Sequence, residues 1–149
     1  MRKLQRWMTG MLLCVATSAQ AAEWVGLGRS NTAEISYAAE GIHHHEGVAT
    51  AWMRQTYLAP QDDKSTGQRF DRSESRHIFD CKNGTSGVMQ GSIYLKGNLV
   101  NLISLPYEMA KQTLHTVPAN SMIQQLMNVA CAQPEAPFRL VYEPAPGSR

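Results

Sequence analysis

"SMIQQLMNVACAQ", residues 121–133, is the stretch from which the fold is read. Ser121 followed by Gln124 has the serine-x-x-glutamine spacing of a capping box, in which hydroxyl and amide satisfy free N–H groups at a helix start. Ile123, Leu126, Met127, Ala130 and Cys131 then recur at i, i+3, i+4, i+7 and i+8, one apolar stripe of a 3.6-residue period. The spacing predicts a short amphipathic helix with a thiol at the end of its inner face. That stripe has to be buried against something, and the upstream sequence supplies the surface.

"EWVGLG" (23–28) reads as a first strand, and Thr32 to Glu40 alternates cleanly. Ala33, Ile35, Tyr37 and Ala39 fall on one side and Glu34, Ser36, Ala38 and Glu40 on the other, the pattern of a half-buried strand. "EGIHHHEG" (40–47) reads as a connection edged by Gly41 and Gly47, and "VATAWMRQTYL" (48–58) as a third strand, stopped by Pro60 and forming a hairpin with the second. "PQDDKSTGQRFD" (60–71) is polar without apolar periodicity, an expected surface loop of the kind that commonly carries binding. From Arg72 the strand pattern returns, with Phe79 and Cys81 on one face and Ile78 and Asp80 on the other. Asn83-Gly84 predicts a tight turn with two positive-φ residues, and Gly97-Asn98 a second one, between "SGVMQGSIYL" (86–95) and "LVNLISL" (99–105). These elements sum to an α+β fold: an antiparallel sheet of about six strands with the C-terminal helix packed on one face.

Arg2, Lys3 and Arg6 precede an apolar run from Met8 to Ala16, and Ala19 and Ala21 follow at cleavage spacing, so residues 1–21 read as a signal peptide. The run is shorter than the roughly 20 apolar residues that span a bilayer, and no longer one follows. Cys14 follows Leu13 inside the run and not a small residue, so no lipid anchor is expected. The mature chain is expected in the periplasm or at the cell surface, as one domain (22–132) followed by a Pro-rich tail (133–149). The signal takes with it three of the 14 basic residues and none of the 12 acidic ones, so the formal charge of +2 does not describe the mature chain. Nucleic-acid binding, which needs clustered basic residues, is not expected.

Cys14 leaves with the signal, and Cys81 and Cys131 then have one intramolecular pairing available in an oxidising compartment. Such a bridge would tie the helix to the sheet, at about 4 kcal/mol in the chain-entropy description. The other reading, a redox-active pair, fits less well, because such cysteines usually lie two residues apart near a helix start.

"HHHE" (43–46) is the cluster that most resembles chemistry. On a strand, His43 and His45 share a side and are the candidate metal pair, with His77 or His115 as the third ligand that zinc requires. The alternative is a solvated polar turn, or a patch whose adjacent imidazoles respond to pH. No motif places a nucleophile beside a base, pairs two carboxylates or marks a cofactor site. Ser121 reads as a cap, and Gly26 and Gly28 do not open a helix, which argues against a phosphate loop. A non-enzymatic chain without a cofactor is expected. Lys64, Arg69, Arg72 and Arg76 form a basic strip for acidic ligands or sulfated glycans, or, with Asp62, Asp63, Asp71 and Glu74 among them, a self-neutralised solvated edge. In the tail, Phe138, Leu140 and Tyr142 alternate with Arg139, Val141 and Glu143 between prolines. That pattern suits either an extended segment that adds to a sheet edge, its own or a neighbour's, or a disordered one.

The early "EW", the "GIHHHEGVATAW" strand pair with Trp52, the strand-ending "FDC", the "GSIYLKGNLV" hairpin and the closing "VPANSMIQQLMNVAC" together resemble the surface-adhesin protein E family of bacterial envelope proteins, over residues 23–131. The resemblance implies a six-stranded antiparallel sheet with a C-terminal helix tied to it by a disulfide. It also implies adhesion, the founding member being a lipid-anchored adhesin for host matrix and serum proteins such as vitronectin and laminin. This chain departs from that pattern in lacking a lipobox and in continuing past Cys131. No ligand-contacting residue carries over, so the binding residues are left open, with a host-matrix or envelope protein as the expected partner and self-association through a sheet edge or the tail as a further expectation.

Overall fold

The computed structural model describes residues 22–138 and 140–147, so the signal-peptide and lipid-anchor expectations lie outside the described residues. Strands β1 (Trp24–Arg29), β2 (Ala33–Ala38), β4 (Val48–Asp62), β5 (Arg69–Asp80), β6 (Thr85–Leu95) and β7 (Asn98–Ser104) form one antiparallel sheet in the order β1-β2-β4-β5-β6-β7. Two short strands extend it: β3 (His43–His45) pairs with β4, and β8 (His115–Thr116) pairs with β6. Helix α1 (Tyr107–Gln112) follows β7, and α2 (Met122–Cys131) follows β8. No helix among the described residues is long and apolar enough to cross a membrane.

The period of two sorts the central strands into two faces. Ala49 lies opposite Phe79, Ala51 opposite His77 and Met53 opposite Ser75, and this first face meets α2. Phe79, Leu126 and Ala130 are fully buried together there, with Ile35, Met53, Ile123 and Met127 around them. Burying Phe79 and Leu126 contributes roughly 1.5–3 kcal/mol each. At the end of the same contact Cys81 and Cys131 form a disulfide with Cα atoms 5.9 Å apart. The expected cap is present, because Ser121 Oγ accepts the Gln124 N–H at 3.1 Å. The Gln124 side chain reaches one residue beyond the usual partner, accepting the Asn120 N–H at 2.7 Å.

The second face has its own cover. Thr50 lies opposite Ile78 and Trp52 opposite Arg76. Helix α1 packs here, with Ala110 buried against Ile78 and Met89. Gly87 permits that approach, since a Cβ there would lie 3.2 Å from the Ala110 carbonyl oxygen and from Leu114 Cδ2. A helix of six residues, begun at Pro106, is too short to show a period in the sequence. The tail supplies the rest of the cover. Leu140 joins the Ile78 cluster, and Ala145 is buried with Ala38 and Trp52 beside Trp24. Of the two readings of this segment, the ordered one holds for its described residues, although they lie across a face and do not extend an edge.

Several expectations are corrected in detail. "HHH" is a strand and not a free connection. Pro60 does not stop β4, which runs to Asp62. The ladder to β5 shifts register between Thr56 and Gln61, and a residue without an N–H is tolerated where the ladder is interrupted. The polar stretch after Pro60 is therefore the end of a long hairpin whose turn takes up residues 63–68. At Asn83-Gly84 only Gly84 has positive φ (62°), because the Asp80 carboxylate accepts the N–H groups of Lys82 and Asn83, both at 3.0 Å, and shapes a longer turn. In the next hairpin the positive-φ pair is Lys96-Gly97, one residue earlier than expected. Pairing of Leu95 with Asn98 leaves those two residues to make the turn.

Candidate functional site

The histidine strand holds the tail. His44 Nδ1 lies 2.8 Å from the Gln133 carbonyl, and the Ala136 N–H donates to the His44 carbonyl at 2.9 Å. His43 stacks on Phe138 with ring centroids 5.1 Å apart, and its Nε2 lies 3.6 Å from Glu143 Oε1. His45 Nε2 faces the exposed Glu46 at 3.8 Å. Pairing with Thr50 and Val48 puts His43 and His45 on one side of the strand, as expected. No third ligand joins them: among the described residues no grouping of three or more His, Cys, Asp or Glu could hold a metal ion. The metal reading is therefore not favoured, and contacts with the tail account for His43 and His44.

Glu143 is gripped from three sides. Arg76, only 1% exposed, places Nη2 2.9 Å from Glu143 Oε2 and donates through Nη1 to the Val141 carbonyl at 2.7 Å. Burial pushes the Arg76 pKa below its ordinary value, and the Glu143 charge opposes that shift. Gln90, also buried, reads the main chain: its Nε2 donates to the Glu143 carbonyl at 2.8 Å and its Oε1 accepts the Glu143 N–H at 3.2 Å. Arg76 is tied to Gln90 as well, donating to Oε1 at 3.2 Å.

Beyond the tail the same face carries a ladder of charge and aromatic rings. Glu74, 1% exposed, lies 2.7 Å from Arg54 Nη2 and 3.3 Å from Arg72 Nε. Arg54 lies 3.7 Å over the Trp24 ring, and Arg72 4.2 Å over that of Tyr94. Of the two readings of the 62–76 charges, the paired one fits Arg69 and Arg72, although Glu74 and Arg76 are buried and not on a solvated edge. Arg69 pairs with Asp62 on the exposed hairpin, whereas Arg72 and Arg76 work inside the second face, because their strand positions are even-numbered and point away from α2.

On the first face α2 covers only one end of the sheet. The other end is an open groove of about 520 Å³ between the β4–β5 hairpin and β7. Phe70, Ile93, Leu102 and Ile103 give it an apolar lining, with Ser73 and Ser75 among the polar groups. The volume lies within the usual range of ligand sites. Asp63 stiffens the rim, accepting from Thr66 Oγ1 at 2.7 Å, from Ser65 Oγ at 2.8 Å and from the Ser65 N–H at 3.0 Å. Those bonds, Thr66 first, hold its carboxyl below the usual pKa. Strand β7 ends the sheet, and Leu99 and Ile103 on it are each 56% exposed.

One pairing beside the groove was missed from sequence: Oγ of Ser75, which lines the groove, lies 2.9 Å from Nε2 of the buried His77. The signal was there, since serine and histidine two apart on a strand share a face. The geometry resembles a nucleophile with its base, but the environment does not support that use. Burial, with a smaller contribution from His115, pushes the His77 pKa down from 6.5 to about 4. A general base works best with a pKa near the ambient pH. The bond instead gives a buried imidazole a partner.

An open antiparallel sheet, one face stapled to a helix by a disulfide and half left bare, defines a class of small α+β scaffold. Within that class the chain belongs to the surface-adhesin protein E family, whose sequence model matches residues 24–132. No curated protein and no solved structure matches the chain. Membership supports a surface-adhesin role and an exported or surface location.

Proposed function

We propose that the mature chain is an exported, non-enzymatic adhesin-type protein that captures an extended segment of a protein ligand along β7 and in the groove beside it. The observation that carries this reading is the combination, at one place, of an apolar-lined groove and a terminal strand with exposed Leu99, Leu102 and Ile103. A terminal strand offers unpaired N–H and C=O groups to an incoming extended chain, and neighbouring pockets then select its side chains. Family membership supports the adhesive role. The amino-terminal sequence supports export by a signal peptide cleaved after Ala21, without lipidation and with release into the periplasm or at the surface. The ligand is a protein of the host matrix or of the envelope.

The test is surface-plasmon binding of the full-length mature protein to purified matrix proteins and, in parallel, to purified envelope proteins. Ile103→Asp is expected to weaken a saturable interaction at least tenfold while leaving the thermal midpoint unchanged. Equal binding by wild type and Ile103→Asp, or turnover of a substrate that is lost on changing Ser75, would overturn the proposal.

A further inference from the structure

On the second face of the sheet, away from the groove, Arg76 and Gln90 hold the main chain and carboxylate of the tail. We propose that Arg76, Gln90 and Trp52 form a recognition site for an extended acidic segment, that residues 140–147 of the chain are its resident occupant, and that the same segment of a second copy can replace them.

The polar part of the site belongs to the sheet. Arg76 and Gln90 are 1% and 2% exposed and are bonded to each other through Arg76 Nη1 and Gln90 Oε1 at 3.2 Å. They read the occupant at the main chain of Glu143, at the Val141 carbonyl and at the Glu143 carboxylate. One side-chain charge and a short run of backbone are thus recognised together, as in the capture of a peptide. The occupant lies against the second face with Ala145 alone of its residues buried. Val141 and Tyr142 are 59% and 57% exposed, and Leu140 and Ala145 reach the apolar clusters on either side. The site also lies wholly within the family match and the occupant wholly outside it. Exchange between copies requires no new contact, because each site would receive an identical segment. The tethered tail has the advantage of an effective concentration on the order of millimolar, so exchange is suppressed until the tail is released.

Two arms test this. In the first, a labelled synthetic peptide of residues 138–147 is titrated into full-length wild-type protein and into full-length Glu143→Lys. The variant is expected to bind at least tenfold more tightly than wild type, whose own tail competes, and a peptide carrying Glu143→Lys is expected to lose that affinity. Absence of binding to the folded variant, or equal binding of both peptides, would overturn the site. If Glu143→Lys does not fold, full-length protein with a protease site at residues 134–137, cut after folding, provides the open site for the same titration. In the second arm Gln90→Ala, with a damaged site and an intact tail, is mixed with Glu143→Lys, with the reverse. A heterodimer in sedimentation velocity, with each variant alone monomeric, is expected. A mixture that stays monomeric while the peptide binds would overturn the exchange between copies.

Discussion

His77 sits on β5 at 7% exposure, stacked on Phe79 at 6.0 Å and bonded to Ser75. Its unfolded imidazole takes up a proton near pH 6.5 and its folded one only near 4, so with respect to this group stability is complete above pH 6.5. As the pH falls from 6.5 toward 4 the unfolded chain binds the extra proton, and roughly 3 kcal/mol is lost. Urea midpoints at pH 7 and pH 4.5 should show that loss in wild type and a much flatter response in His77→Phe. Asp63 and Asp80 act at lower pH. Both carboxyls are held below their ordinary value, chiefly by side-chain hydrogen bonds from Thr66 and Asn83 respectively, and their contribution disappears only as they protonate. The difference between wild type and His77→Phe across the window from 4 to 6.5 therefore reports on the buried imidazole.

At the scale of the element, α2 separates two kinds of stabilisation. Ser121→Ala removes the acceptor for the Gln124 N–H and should cost about 1 kcal/mol. Leu126→Ala empties a fully buried position between sheet and helix and should cost roughly 2–5 kcal/mol, so urea denaturation should rank it well above the cap variant. These two roles were legible in the sequence because cap spacing and the 3.6-residue stripe are local signals. The shared face of Phe79 and Cys81 was legible for the same reason, on a period of two. What could not be read depends on partners far away in the chain. Lys96 has no preference for positive φ and adopts it because β6 and β7 pair in a register that leaves it in the turn. Pro60 lies inside β4 because the ladder happens to be interrupted there. His43 looked like a ligand from its neighbours in sequence, whereas its contacts in the fold are Phe138 and Glu143. Of the groove only the polar 60–71 rim was legible; its floor is the part of the first face that α2 is too short to cover.

For the molecule as a whole the Cys81–Cys131 bridge is the principal long-range constraint, joining residues 50 apart in sequence. Replacing both cysteines with serine should lower stability by about 4 kcal/mol, read as a shift of the urea midpoint between oxidised wild type and the variant. Alkylation of the unreduced native protein should label neither cysteine. The position of the bridge also has a mechanical consequence. It closes the last residue of α2 onto the end of β5, in the interior of the strand order, and the tail begins immediately beyond. Tension applied from the carboxyl end would strip away the tail strap first and then arrive at a covalent stop, with everything between the two sulfur atoms shielded from extension. Under such a load the strap would be given up first, while residues 82–130, which carry β6, β7, α1, β8 and nearly all of α2, would stay out of the line of force.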